Sequence, residues 1–186
     1  MVDNASTDGS LDALLGLPCV QIIKNPVNVG FAAACNCGAR VASAQFLLFL
    51  NPDCYFKPCA LARLLVAMSA DDREGMVGGF LTNLDGTEQA GGRRAVPTPW
   101  RSFVRAFGLA RFSNRWPRLF FDFHLHKQPL PIRAIEVEAI SGACMMVRRE
   151  AMQDVGEWDE GYFLHCEDLD WCMRFRQKDW KILFVP

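Results

Sequence analysis

Phe46-Leu47-Leu48-Phe49-Leu50, followed at once by Asn51-Pro52-Asp53, is the stretch that decides the fold. Five consecutive apolar residues between an Ala/Ser-rich helical segment and a proline read as a short strand buried on both faces, the habit of central strands in parallel sheets. Pro52 lacks a backbone donor and disfavours further strand pairing, so the chain leaves the sheet there. Asp53 then lands just past the strand's carboxyl end. In open α/β sheets, ligands bind along that edge.

The segments around this strand repeat its logic. Val20 to Lys24 reads as a strand. Asn25-Pro26-Val27-Asn28-Val29-Gly30 reads as a loop, and Phe31 to Ala42 as a helix whose Ala34, Gly38 and Ala42 permit close packing on a sheet. Downstream, Pro58 opens a helix with Leu61, Leu64, Leu65 and Met68 inward. Met76 to Leu81 reads as a strand, and Asp85-Gly86 signals a hairpin turn. The alternation of strand and helix predicts a parallel sheet with right-handed crossovers. After segment 91–133, strands are expected over Ala134 to Ile140 and Cys144 to Val147, a helix over Arg149 to Val155, a helix over Glu167 to Gln177, and a last strand over Trp180 to Val185.

Segment 91–133 departs from the pattern, with arginines, aromatics and prolines such as Arg93, Arg94, Trp100, Arg101, Phe103, Arg105, Phe107, Arg111, Arg115, Trp116 and Arg118. It reads as a basic and aromatic insertion within one domain spanning 1–186. Trp100, Phe103, Val104 and Phe107 recur at helical spacing while Arg101 and Arg105 lie on other sides. A helix resting on an anionic membrane surface fits this pattern, giving peripheral membrane contact through 99–121. A helix packed on the sheet over a cleft fits it too.

Composition narrows the function. The 186 residues are 51% hydrophobic and 22% charged, ordinary for a globular domain. A formal net charge of −1 provides no global field for nucleic acid, so no nucleic-acid partner is expected. Eight cysteines without a CxxC pair read as small buried hydrophobes in a reducing compartment. His124 and His126 lack a third ligand nearby, which argues against zinc.

Two acidic points can carry chemistry. Asp53 offers a hard oxygen suited to magnesium or manganese, which keep waters and take substrate phosphates, although an Asp there also caps turns. Glu167-Asp168-Leu169-Asp170 opens the late helix, where acids complement the helix dipole, and Asp170 precedes Arg174 by one helical turn. Glu167 and Asp168 follow an aromatic loop, where a carboxylate facing a cleft can act as a base. Arg93 or Arg94 can add a bidentate phosphate contact or remain a solvated surface arginine.

Asp3-Asn4-Ala5-Ser6-Thr7-Asp8-Gly9-Ser10, Asn28-Val29-Gly30-Phe31-Ala32, Leu50-Asn51-Pro52-Asp53, Gly142-Ala143-Cys144-Met145-Met146-Val147-Arg148-Arg149 and Gly161-Tyr162-Phe163-Leu164-His165-Cys166-Glu167-Asp168-Leu169-Asp170 occur in order over nearly the whole chain. Together they resemble family-two glycosyltransferases of the GT-A fold, and within them the rhamnosyltransferase-like branch that builds bacterial surface polysaccharides. The resemblance implies an α/β fold with a GT-A-type mixed, mainly parallel sheet flanked by helices. Its Rossmann-like half is incomplete at the amino terminus, and the chain is expected to be truncated at both ends, with little turnover on its own. The implied activity is inverting transfer of a sugar, rhamnose in that branch, from a nucleoside-diphosphate sugar donor to a saccharide or lipid-linked acceptor. The implied location is the cytoplasm, at the inner face of the plasma membrane.

By that resemblance, Asp3 contacts the nucleotide base, Asn28 and Gly30 line the nucleotide pocket, Asp53 holds a divalent metal (Mg or Mn), and Asp168 is the catalytic base with Glu167 beside it. Asn51 stands where the family's first metal-site Asp is usual, which leaves one direct ligand. Two other functions share parts of this pattern, a sugar-phosphate nucleotidyltransferase and a non-catalytic nucleotide-sugar-binding fragment.

Overall fold

The structure is a computed structural model describing residues 1–112, 115–116, 119–120 and 125–186. His124 and Arg118 therefore lie outside the described residues. Strands β3 (Phe46–Leu50), β4 (Glu74–Gly79), β6 (Ile135–Glu136), β8 (Cys144–Arg148) and β9 (Lys181–Val185) form a five-stranded sheet in the order β3-β8-β4-β9-β6. Two small sheets flank it. β1 (Val2–Asp3) pairs in parallel with β2 (Ile23–Lys24), and β5 (Arg93–Arg94) pairs antiparallel with β7 (Ala139–Ile140).

Period-two alternation sorts the main sheet's side chains into two layers. Met76, Met145, Val147, Ile182 and Phe184 face the larger core, whereas Val77, Cys144, Met146 and Val185 face the smaller one. Helix α2 (Ala60–Met68) covers the smaller layer through Leu64, Ala67 and Met68. Helices α1 (Phe31–Val41), α4 (Arg149–Val155) and α5 (Glu167–Gln177) supply the larger one. There Trp158, Trp171, Phe49 and Phe175 meet mostly edge to face, with Trp158 and Trp171 rings 4.2 Å apart. Aromatic pairs in this arrangement add to what burial alone contributes.

Several expectations are corrected. The sheet is mixed, but it is not mainly parallel: β4 with β9 is the one parallel pairing in the five-stranded sheet among the described residues. The reason is β8, which inserts antiparallel between β3 and β4. β3 is consequently the outer strand rather than a central one. Leu47 and Phe49 reach the core, and Leu48 and Leu50 remain exposed on the other face.

Smaller corrections follow from the same packing. The second strand shrinks to Ile23–Lys24, and Val2–Asp3 forms a strand where only a polar turn was expected. Leu61 and Leu65 of α2 are exposed. In α1 the buried face is Ala32, Asn36 and Ala39, although Gly38 does let Val2 approach to within 3.1 Å of where its Cβ would stand. Cys144 and Cys172 are buried, but Cys19, Cys59 and Cys166 are exposed, so the cysteines are not uniformly core residues. Asp85-Gly86 turns a hairpin as expected, with Gly86 at φ 82°. Segment 91–133 contributes β5, helix α3 (Pro99–Ala106) and two short 3₁₀ turns. Among the described residues, no helix is long and apolar enough to cross a membrane.

Candidate active site

Three connections converge at one end of the sheet. After β3, the Asn51–Cys54 turn is fastened to the β7–β8 connection: Asn51 N–H donates to the Ala143 carbonyl at 2.9 Å, and the Cys54 thiol donates to the same oxygen. One residue earlier, Gly142 N–H donates to Asp168 Oδ2 at 3.1 Å. The turn carrying Asp53 and the helix end carrying Asp168 thus share the 141–143 segment as a common support.

Asp168 Oδ2 also accepts from Arg94 Nη2, in an ion pair whose side chains are 24% and 14% exposed for Arg94 and Asp168. The same oxygen takes both donors. Among the described residues Oδ1 has no hydrogen-bond partner, so it is the oxygen left for an incoming group. Glu167 beside it is buried with Oε2 unpartnered, and the Arg94 Nε and Trp158 Nε1 are likewise buried donors without partners. Trp158 and Asp168 both border Gly142, where a Cβ would stand 3.5 Å and 3.4 Å from them. Unsatisfied buried polar atoms are rare in native interiors, and two of them belong to Arg94, the ion-pair partner of Asp168, and to Glu167, its neighbour in the chain. Burial foremost, with the Glu167 charge second, pushes the Cys35 thiol up to about 12, which leaves it a neutral packing group.

The amino-terminal loop reaches the same region. Asn4 is its hub: Nδ2 donates to Asn28 Oδ1 and to the Gly30 carbonyl, both at 3.0 Å, while Oδ1 accepts from Asn25 Nδ2 and Val29 N–H. Asn28 Oδ1 in turn accepts from Gly30 N–H. Gly30 sits at φ 88°, and a Cβ there would lie 2.9 Å from the Phe163 carbonyl, so only glycine allows this close approach. Phe31 N–H donates to that carbonyl. Asn36, buried in α1, clamps the other side of the late loop through the Trp158 backbone and Glu160. His165 and Cys166 both adopt left-handed backbone just before α5, a strained pair held by these contacts. Asp3 is buried, with Oδ1 accepting from Ser6 N–H at 3.1 Å.

The two arginines part company. Arg94 meets Asp168. Arg93 is buried under Phe184, with its fork on Glu88 at 2.7 Å and 3.0 Å and further donations to the Gln128 and Pro129 carbonyls. It ties segment 91–133 to the core and does not face the Asp168 side, so the diphosphate contact expected of it is corrected. Neither arginine is a solvated surface residue. Asp53 is exposed in its turn. Among the described residues no group of three His, Cys, Asp or Glu side chains could cage a metal. A single exposed hard oxygen still fits an ion that keeps its waters and takes oxygens from a bound diphosphate. Asp170 pairs with Arg174 at 2.8 Å, as its spacing predicts.

Sequence reasoning missed Asn4, the Gly142 amide and the direction of Arg94. Asn4 sits inside the polar motif Asp3 to Ser10, and that motif was the available signal. The Gly142 amide carries no side-chain signal at all.

A mixed sheet flanked by helices, with an acid after an outer strand and a second acid at a helix start, is an α/β scaffold of the kind the GT-A resemblance implied. Residues 1–156 match the pattern of glycosyl transferase family 2, and the chain belongs to that family. It is 29% identical to the N-acetylglucosaminyl-diphospho-decaprenol L-rhamnosyltransferase of Mycobacterium tuberculosis over 100% of this chain and 63% of the relative. It is 27% identical to rhamnosyltransferase WbbL of Escherichia coli over 79% of this chain and 52% of the relative. The chain therefore spans between about half and two thirds of these relatives' length. Among solved structures, it is similar to GalNAc-T7 with UDP, GalNAc and Mn2+ at TM-score 0.68 and 19% identity, covering 100% of this chain and 35% of that one. It is also similar to the mannosyltransferase PcManGT of Pyrobaculum calidifontis with GDP-Man and Mn2+ at TM-score 0.59 and 17% identity, covering 100% and 44%. At those identities the likeness speaks for the fold.

Proposed function

We propose that the protein carrying this chain is an inverting glycosyltransferase that moves a sugar, rhamnose foremost, from a nucleoside-diphosphate donor to a hydroxyl of a saccharide or lipid-linked acceptor in cell-surface polysaccharide synthesis. The observation that carries the reading is the state of Asp168: one carboxylate oxygen is fixed by Arg94 and the Gly142 amide, and the other has no partner among the described residues. Such a group is oriented and able to take a proton from an acceptor hydroxyl as that oxygen attacks the anomeric carbon from the face opposite the leaving diphosphate. Glu167, the next acid in the chain, is buried with Oε2 unpartnered.

On the donor side, Asp3, Asn28 and Gly30 form the nucleotide pocket, with Asn4 fixing the loop's shape. Asp53 would hold a magnesium or manganese ion, which when bound stabilises negative charge developing on the diphosphate. The Mn2+ in the two similar solved structures supports a divalent ion here, and the lipid-linked substrate in the name of the mycobacterial relative supports a lipid-linked acceptor. Asp168 acts in the cytoplasm, where nucleotide sugars are made.

The test is donor-dependent release of nucleoside diphosphate with an acceptor present, comparing wild type with Asp168→Asn. Transfer is expected to fall by about 10³-fold or more while nucleotide affinity stays within about twofold. Near wild-type transfer by Asp168→Asn overturns the assignment, and pyrophosphate exchange in place of sugar transfer overturns the reaction class.

A further inference from the structure

From Gln89 to Phe121 the chain contains seven arginines and no acid. Arg93, Arg94 and Arg101 are matched by Glu88, Asp168 and Glu138, acids supplied from outside this stretch. Arg111 and Arg115 are exposed.

Beside them lies an aromatic surface. α3 is anchored by buried Val104, by the Thr98 cap on Arg101 N–H and by the Arg101–Glu138 ion pair, whose hydrogen bond holds the Glu138 carboxyl below its usual range. Its other face presents Trp100, Phe103 and Phe107, which are 51%, 44% and 65% exposed and run ring against ring at 5.5 Å and 4.5 Å. Trp100 Nε1 donates to the Leu119 carbonyl at 2.7 Å, and Leu119 N–H donates to the carbonyl of exposed Trp116, so the row is tied to the turn carrying that ring. A row of half-exposed aromatics with a cationic fringe is the chemistry of a surface that inserts rings at the headgroup level and attracts anionic phosphates.

We infer that the outer face of α3, with Trp116, Arg111 and Arg115, docks this protein on an anionic lipid bilayer surface. The charge excess commits the face to anionic lipid rather than to a neutral bilayer or to a second copy of this basic surface. The geometry also fits delivery to the site: Arg94, on Asp168, precedes Pro99 by five residues, a span of at most about 18 Å of chain. Docking there would bring the edge of the bilayer near the catalytic carboxylate, but lipid binding itself does not depend on the transfer chemistry.

The test is flotation of the purified chain with vesicles of phosphatidylcholine alone and of phosphatidylcholine with about 30 mol % phosphatidylglycerol. Partitioning is expected to be about tenfold or more stronger on the anionic vesicles and to fall steeply with added salt. Trp100→Ser with Phe103→Ser and Phe107→Ser should lose about tenfold of that binding, and Arg111→Glu with Arg115→Glu should lose its salt-dependent part. Absent or equal binding to the two vesicle types overturns the inference on the unaltered protein alone, whatever the variants' folding. So does a folded triple Ser variant that still floats, or self-association abolished by the same substitutions without vesicle binding.

Discussion

Arg94 and Gly142 both donate to Asp168 Oδ2, and under the role proposed for Asp168 the consequence is kinetic. A base held at one oxygen keeps a single approach direction for the other, and slight misplacement of a reacting group can cost about 10²-fold. Arg94→Met is therefore expected to lower kcat by about 10- to 100-fold with donor KM changed less than about twofold, and Arg94→Lys to restore part of the loss through its single charge. A raised donor KM at unchanged kcat would instead make Arg94 the diphosphate contact that its sequence position suggested. That Glu167 and Asp168 open a helix was legible, because they follow an aromatic loop where a helical pattern begins. The division of labour between Arg93 and Arg94 was not. Successive residues on a strand point to opposite faces, and only the pairing of β5 with β7 decides which one meets the core and which meets Asp168.

At the scale of elements, α4, α5 and β8 could be read nearly to the residue because local periodicity and turn residues bound them. The place of β3 could not. An apolar run reports burial in the abstract, whereas strand order depends on β8 returning across the sheet from about a hundred residues later. That long-range packing leaves one narrow tolerance close to the site. A Cβ at Gly78 of β4 would stand 2.8 Å from Ile140 Cβ and 2.9 Å from its two terminal carbons, and Ile140 leads directly into Ser141-Gly142. Gly78→Ala should cost about 1–3 kcal/mol through overpacking, or about 2–12 °C in Tm for a chain of this size. Because Ile140 must give way, the Gly142 amide moves with it, so kcat should fall beyond what the lost folded fraction explains. An unchanged Tm measured by calorimetry would show that β7 yields freely and that the 141–143 support is softer than its contacts imply.

Over the whole molecule, the two core layers draw on β3, β4, β8, β9 and the helices packed on them, while α3 buries only Val104. Local stability follows buried apolar contact, so the chain should open in parts rather than at once. We propose that 1–186 is one domain carrying 91–133 as an insertion, with the insertion the weaker unit. It is fastened chiefly by Arg93 on Glu88 and over the Phe184 ring, by Arg101 on Glu138, and by the β5–β7 pairing. In native-state hydrogen exchange, the amides of α3 should exchange through local openings insensitive to low denaturant, while those of β4, β8 and β9 exchange only with global unfolding. Arg93→Met removes the buried clamp and leaves Glu88 uncompensated, so it should speed exchange in α3 by about tenfold or more before it shifts the strands. Equal protection of α3 and the central strands would mean that the insertion folds as part of the core, and the one-domain reading would then have no separable arm.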